Sequence, residues 1–366
     1  MGKFTFRLVN NRADETQIHL LLTAASATGL EGLELGKSTL LKDFFAANPS
    51  HSFAADTLVG SRLYVGYGPL PPAPDPNSNQ YYGWIEFSKN AADKGVWLNL
   101  SNVDIVGLPL TLAGKLAENG NSFSLGYKSP VKDIVSAMKT RALIRQGPAV
   151  VKDCGGGRIK IVAPNIQFPF YRGYEDYLNA LTTAGAKLTV QTDTPVGAPS
   201  LTFTGAFSKG GYQGLGNTDP IITLTSGSDT FRILKSQFTT EYLYRCDGGT
   251  IVFDGKTLPQ NRPDNGGHDA SAVYSNSLFR NLCIGLNEGY FTADGANDSR
   301  KFASDKPFGN GQGNVYAQII HESSNSYGFP YADANLKTLL VAAVDHPITL
   351  TILRDDEAGG YQGQDM

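Results

Sequence analysis

The sequence predicts a mainly β protein with an α+β portion, divided into two domains. Its 366 residues include only 18% charged side chains against 41% hydrophobic ones, which suits strands and loops better than long solvated helices. Short strand-like runs dominate the first 128 residues, and helical patterns occur only after them. A last strand pattern, ITLTI, follows the helical region. We therefore predict that residues 1–128 and 340–366 form one β domain, and that residues 129–339 form a mixed α/β domain.

The strand patterns of the first domain are short and separated by turn residues. In the first of them Phe4, Phe6 and Leu8 alternate with polar residues, as in a strand with one buried face. The loop at 68–80 contains five prolines and cannot be regular, and a loop of that length is usually functional or mobile. In chain order the strand patterns are KFTFRLVNN, IHLLLTA, RLYVGYG, GWIEFS, GVWLNL and FSLGY.

Three segments of the second domain have helical patterns. The first, 129–147, opens with Ser-Pro and is expected to end at its glycine. The second, 172–185, ends at Gly185, and the third covers 268–289. Between the second and third helices the sequence has strand patterns, in the order KLTVQT, SLTFTG, IITLTSG, TFRILK and GTIVFD.

Charge and hydropathy exclude several function classes. The net charge of −3 gives no basic face for nucleic acid, and no apolar run approaches the length of a membrane-spanning helix. The five histidines have no partner at metal-ligand spacing, so we expect no metal and no cofactor. LELGKST at 33–39 and CGGGRIK at 154–160 lack the spacing of a nucleotide-binding loop and are interpreted as turns. Three cysteines, Cys154, Cys246 and Cys283, allow one disulfide or three thiols.

Two carboxylates in an aromatic segment are the candidate chemistry. Glu86 lies in YYGWIEFSKN and Asp104 ends WLNLSNVD, with both tryptophans of the chain, Trp84 and Trp97, beside them. A pair of carboxylates in an aromatic-lined groove is typical of enzymes that break glycosidic bonds, and Tyr82 would add to that lining. From spacing alone, solvated side chains on an ordinary hairpin are the favoured interpretation of both carboxylates.

The predicted hairpin constrains this pairing. In a simple hairpin Asp104 would lie about 20 Å from Glu86, at ~3.3 Å per residue, so the chain must bend near 100–102 to bring the two together. Strand alternation places Trp84, Glu86 and Ser88 on one face, with Ile85 and Phe87 directed into the core.

The motifs WIEFS, WLNLSNVDIV, IIHESSNSYGFPYADAN and ITLTI, in this order, resemble glycoside hydrolase family 64 along nearly the whole chain. These are laminaripentaose-producing β-1,3-glucanases, related in fold to thaumatin-like proteins. The resemblance implies a thaumatin-like β-barrel or sandwich domain beside the mixed α/β domain, with a wide groove between them.

The resemblance also implies an inverting, endo-type hydrolase of β-1,3-glucan that releases mainly a pentasaccharide. Glu86 matches the family's general acid and Asp104 its general base, while Ser88, Asn90 and Trp97 match its sugar contacts. Because the substrate is an extracellular polysaccharide, we expect a secreted monomer whose signal segment is absent from this chain. The alternative is a non-catalytic, thaumatin-like β-glucan-binding protein. The motif YGFPYAD, from Tyr327 to Asp333, is interpreted as a turn with packed aromatics, or alternatively as part of the groove wall.

Overall fold

The structure is a computed structural model that describes residues 2–192, 201–227, 229–246, 252–253, 270–294, 308, 311–330 and 339–362. Its strands are β1 (Phe4–Asn10), β2 (Ile18–Thr23), β3 (Ser26–Thr28), β4 (Thr39–Leu40), β5 (Ser52–Ala55), β6 (Thr57–Tyr67), β7 (Tyr82–Lys89), β8 (Gly95–Ser101), β9 (Ile105–Val106), β10 (Leu110–Lys115), β11 (Ser122–Leu125), β12 (Val151–Asp153), β13 (Ile159–Val162), β14 (Lys187–Gln191), β15 (Thr202–Phe207), β16 (Pro220–Ser226), β17 (Asp229–Leu234), β18 (Val252–Phe253), β19 (Leu340–Ala343) and β20 (Ile348–Ile352). Its α-helices are α1 (Leu41–Ala47), α2 (Val131–Ala137), α3 (Pro164–Gln167), α4 (Glu175–Ala184), α5 (Thr240–Arg245), α6 (Ala270–Asn287) and α7 (Val315–Ser323).

The chain divides into two compact units. The first comprises Met1–Phe170, Ile319–Gly328 and Ala332–Met366, and the second comprises Tyr171–Gln318 and Phe329–Tyr331. Relative to the predicted boundary at residue 128, the first unit also includes α2 and the hairpin β12–β13, because β13 pairs with β9.

Two sheets of the first unit carry most of its strands. One has the order β11-β10-β20-β1-β5, and the other the order β19-β8-β7-β6-β2-β4, with β3 added beside β6. The last strand, β20, pairs parallel with β1 and antiparallel with β10, so it returns to the β-rich part of the chain as predicted. Both sheets end in edge strands, so in the described residues they form an open pair rather than a closed barrel.

The core of the first unit lies between these two sheets. Phe87 of β7 contacts Phe4 and Phe6 of β1, with ring centroids 6.4 and 4.8 Å apart. Burying aromatic side chains of this size is worth about 1.5–3 kcal/mol each. The predicted direction of Phe87 is therefore confirmed, and the opposite face of β7 is left for other contacts.

The predicted helix at 129–147 is shorter than expected. The regular α-helix α2 ends at Ala137 and continues as a π-helical turn over Met138–Ala142. Thr140 donates its hydroxyl to the carbonyl of Ser136 at 3.0 Å, and such local side-chain bonds compete with the regular helical pattern.

The second unit is built on an antiparallel sheet in the order β14-β15-β16-β17-β18. Gly185 follows α4 with a φ of 63°, a left-handed conformation that favours glycine, which confirms the predicted helix end. The third predicted helix is confirmed as α6; its first residues, 268–269, lie outside the described part of the chain. Cys154 of the first unit and Cys246 and Cys283 of the second are thiols.

The two glycine-containing motifs are turns, as predicted. LELGKST leads into β4 and α1, and its lysine pairs with Glu34 at 2.8 Å. The three glycines of CGGGRIK have φ values of 78°, 60° and 78° and connect β12 to β13. Across the described residues no helix is long and apolar enough to span a membrane.

Candidate active site

The outer face of β6, β7 and β8 positions the candidate acid. These strands are adjacent and antiparallel, and their register places Arg62 and Asn99 on either side of Glu86. Residues paired across antiparallel strands point to the same face. Since Phe87 points into the core, these three side chains form a row on the opposite side of the sheet.

Both carboxylate oxygens of Glu86 are engaged by other side chains. Arg62 donates from Nε and Nη2 to Oε1, each at 2.8 Å, and the hydroxyl of Tyr327 donates to Oε2 at 2.5 Å. The Glu86 side chain keeps 20% of its surface exposed. The Glu86 carboxylate is therefore held in one orientation while its side chain stays partly exposed.

Tyr327 links the strand that carries Glu86 to the segment that leads to Asp104. Its backbone N–H donates to Leu100 at 3.1 Å, and its carbonyl accepts from the N–H of Asn102 at 3.0 Å. The contact with Glu86 favours the second interpretation of the YGFPYAD motif, at least for its first residue. Asp333 lies outside the described residues.

Asp104 is placed by a bend immediately after β8. The chain turns at 103–104, slightly later than the predicted 100–102, and continues into β9. The backbone carbonyl of Asp104 accepts from Ala163 at 2.8 Å, and its Oδ1 accepts from Nδ2 of Asn165 at 2.7 Å. Asp104 is half-buried in this position.

The pKa of the Asp104 carboxyl is shifted by its surroundings, including the charge of Glu86. Burial raises the pKa of the Asp104 carboxyl, and the negative charge of Glu86 raises it further. The hydrogen bond from Asn165 and the positive charge of Arg62 act in the opposite direction without cancelling the rise. The two carboxylates thus interact electrostatically, and a raised pKa brings Asp104 closer to the range useful for proton transfer near neutral pH.

A cleft of about 520 Å³ opens over this face. Trp97 is 44% exposed in it, which is unusual for so large an apolar side chain and makes the ring available for stacking. The proline-rich loop contributes to the wall, so the expectation that this loop is functional is consistent with its place. The lining residues are Thr23, Gly60, Ser61, Arg62, Tyr64, Pro72, Ala73, Glu86, Phe87, Ser88, Trp97, Asn99 and Leu339.

The other predicted sugar contacts occupy different positions. Trp84 and Tyr82 are only 2% and 1% exposed, and neither lines the cleft. Tyr82 packs edge-on against Tyr64, and the Trp84 ring packs against Tyr64 at a tilt. Asn90 lies in the β7–β8 turn, where its backbone and side chain donate to Asp93 at 2.8 and 3.2 Å. Of the five predicted contacts, Ser88 and Trp97 line the cleft.

Two partners of Glu86 were not predicted from the sequence. Arg62 lies on the neighbouring strand, just after a register shift between Leu58 and Ser61. Tyr327 lies 241 residues away along the chain. Within the described ranges, no group of three or more histidine, cysteine, aspartate or glutamate side chains is arranged to hold a metal ion.

A family model described as Glyco_hydro_64, β-1,3-glucanase, matches residues 67–342, which include the whole of β7, β8 and the bend at Asp104. A search of the curated proteins by sequence finds no match.

Three solved structures show a similar fold. One is a laminaripentaose-producing β-1,3-glucanase in complex with laminaritetraose, with 19% identity and a TM-score of 0.63 over 97% of this chain and 100% of that one. The second is a β-1,3-glucanase domain from Clostridium beijerinckii, with 16% identity and a TM-score of 0.61 over 96% and 98%. The third is a laminaripentaose-producing β-1,3-glucanase from Paenibacillus barengoltzii complexed with laminarihexaose, with 13% identity and a TM-score of 0.52 over 96% and 75%.

Proposed function

Since the chain belongs to glycoside hydrolase family 64, a β-1,3-glucanase family, we propose that it cleaves β-1,3-glucan within the chain and with inversion of configuration. The products would be short laminari-oligosaccharides, mainly the pentasaccharide. The observation that carries the proposal is the position of Glu86 in a cleft that exposes Trp97. Asp104 lies outside the lining of that cleft but interacts electrostatically with Glu86. Two of the structures with a similar fold contain laminari-oligosaccharides, which supports the same class of ligand.

In the proposed reaction each carboxyl group moves one proton. Glu86 donates a proton to the glycosidic oxygen as the bond to the anomeric carbon breaks. Asp104 accepts a proton from the water that attacks that carbon from the opposite face, so the configuration inverts. An inverting pair needs a carboxyl separation of roughly 6.5–9.5 Å, because the water must fit between base and sugar.

The electrostatics favour a second assignment in which the two roles are exchanged. A general acid must carry a proton near the working pH, and Asp104 is the carboxyl whose pKa is raised by burial. The first assignment follows from the resemblance and the second from this rise in pKa. Both use the same two residues.

The test of the activity is product analysis on defined glucans. We expect reducing ends to appear from laminarin and curdlan but not from a β-1,4-glucan, and NMR of the first products to show the α-anomer. Initial appearance of the β-anomer would contradict inversion. Binding of laminarin without any release of sugar would instead support the non-catalytic β-glucan-binding alternative.

Tyr327→Phe is expected to lower kcat by about 10-fold while KM stays nearly unchanged. The substitution removes the hydroxyl that orients Oε2 of Glu86, and a hydrogen bond to a charged group is worth about 1.5–3 kcal/mol. The measurement is steady-state kinetics on laminarin. Tyr67→Phe is a matched control, because its hydroxyl also binds a carboxylate, Asp14, but not in the cleft. A higher KM with an unchanged kcat would show that Tyr327 acts on binding instead.

Several features predicted from the resemblance remain proposals. A secreted monomer fits a polysaccharide substrate that is too large to enter a cell. The groove between two domains and the relation in fold to thaumatin-like proteins also stay predictions. Size-exclusion chromatography and localisation of the native protein are the measurements that check the first of these.

A further inference from the structure

Asn99 is a buried polar side chain at the cleft whose amide oxygen has no partner in the described residues. It lies on β8 directly opposite Glu86, shares the outward face with it and lines the same cleft. Only 4% of the residue is exposed. Within the described part of the chain, its Oδ1 is buried and accepts no hydrogen bond.

The neighbours of Asn99 leave its amide available. Arg62 is committed to Oε1 of Glu86, on the far side of that carboxylate. Ser88 accepts from the backbone N–H of Gly60 at 3.3 Å, also toward β6. A buried amide oxygen without a partner costs about 1–3 kcal/mol. Because Asn99 lines the cleft, a ligand there can bond the amide of this side chain.

Asn102, a second buried asparagine near Asn99, has a structural role and serves as a comparison. Asn102 lies three residues later, and its Nδ2 donates to Tyr127 at 3.1 Å and to Ser326 at 2.6 Å. Its backbone N–H is also bonded, to Tyr327. The Asn102 side chain is therefore hydrogen-bonded within the protein, whereas the Asn99 side chain lines the cleft and its buried oxygen accepts no bond in the described residues.

From this contrast we infer that the side-chain amide of Asn99 hydrogen-bonds a ring hydroxyl of the glucan beside the bond that is cleaved. The inference rests on the proposed function, because it places that bond next to Glu86. Carbohydrate hydroxyls both donate and accept, so they suit an amide, and hydrogen bonds to hydroxyls near the anomeric carbon strengthen in the transition state of glycoside hydrolysis. Asn99 is then a substrate-binding residue that also fixes the ring relative to the carboxylates.

The inference predicts that removing the Asn99 amide lowers activity without lowering stability. Asn99→Ala is expected to lower kcat/KM on laminarin by about 10-fold, the value of one hydrogen bond. It is expected to leave the melting temperature unchanged or higher, because the amide oxygen makes no hydrogen bond in the fold. Asn102→Ala is the structural control and should lower the melting temperature.

The effect of Asn99→Ala on substrate binding is measured in the Glu86→Gln variant, which is expected not to cleave the ligand. Isothermal titration of laminarihexaose into Glu86→Gln and into the Glu86→Gln/Asn99→Ala double variant should show about 10-fold weaker binding in the second. If the wild type cleaves laminarin and Asn99→Ala keeps its kcat/KM and its affinity, the partner of Asn99 is water and the inference is wrong. If the wild type neither cleaves nor binds laminari-oligosaccharides, the proposed function itself fails.

Discussion

Glu86→Gln and Asp104→Asn are each expected to slow hydrolysis of laminarin by about 10²–10⁴-fold, the usual contribution of a general acid or base. Both substitutions keep the shape of the side chain and remove its ability to exchange a proton; Glu86→Gln also removes the negative charge that pairs with Arg62. Binding of laminarihexaose should be retained, since Trp97 and the remaining cleft residues are unchanged. The measurement is initial rate by reducing-sugar assay, with melting temperature as the check on folding.

A matched control is Glu34→Gln, because Glu34 is an exposed carboxylate paired with Lys37 and lies outside the cleft. This variant should keep the wild-type rate. If either Glu86→Gln or Asp104→Asn also keeps that rate, the proposed pair is wrong, and the site must use another group.

A substrate with an aryl leaving group separates the two role assignments. Dinitrophenolate leaves without protonation, so loss of the general acid hardly slows its release, whereas loss of the general base still does. If Glu86 is the acid, Glu86→Gln should retain most of its rate on a dinitrophenyl laminari-oligosaccharide and Asp104→Asn should not. The reverse pattern would establish the exchanged roles that the raised pKa of Asp104 favours.

Glu288→Gln is expected to stabilise the protein at alkaline pH by on the order of 4 kcal/mol. Glu288 follows α6 in the second unit, is 1% exposed, and neither of its carboxyl oxygens has a hydrogen-bond partner in the described residues. Burial raises its pKa from 4.5 to about 8. A neutral glutamine occupies the same volume and never has to carry a charge in that environment.

The sign of the pH dependence follows from proton binding. Between pH 4.5 and about pH 8 the folded state holds a proton on Glu288 that the unfolded state has lost, so the wild-type free energy of unfolding falls as the pH rises. Below pH 4.5 both states are protonated and the wild type keeps its full stability. The two proteins should therefore differ least at pH 4.5 and most at pH 8.

Chemical denaturation at several pH values measures this difference. Glu118→Gln, at an exposed position, is the control and should follow the wild-type curve. A stability difference between Glu288→Gln and wild type that is the same at pH 4.5 and pH 8 would show that ionisation of Glu288 is not its cause.

The alternation of apolar and polar residues correctly predicted which face of a strand each side chain occupies. It did not predict how deeply each side chain is buried. The outward face of β7 follows from the apolar spacing, and the contacts of Phe87 confirm it. The same alternation cannot distinguish Trp97, exposed in the cleft, from Trp84, which neighbouring rings cover. That distinction depends on Tyr64, which belongs to another strand.

Arg62 and Tyr327, the two partners of Glu86, could not be predicted from the sequence because neither contact follows from strand alternation. Arg62 meets Glu86 through a register that contains an irregularity, and a shift of one residue would turn its side chain to the opposite face. Tyr327 reaches Glu86 from a segment that has no regular strand pattern of its own. The bend that places Asp104 was required by the proposed pairing, although its position was predicted slightly too early.

The place of β20 in its sheet has a consequence for synthesis of the chain. Phe6 in β1 pairs with Ile348, and Leu350 on the same late strand pairs with Leu112. While the ribosome is still translating, β1 and β10 have no strand between them, and their inner edges expose unpaired backbone groups. This sheet can close only after β20 has been made, more than 300 residues after β1, and such long-range pairing slows folding. A nascent chain would therefore benefit from a chaperone until the late strand arrives.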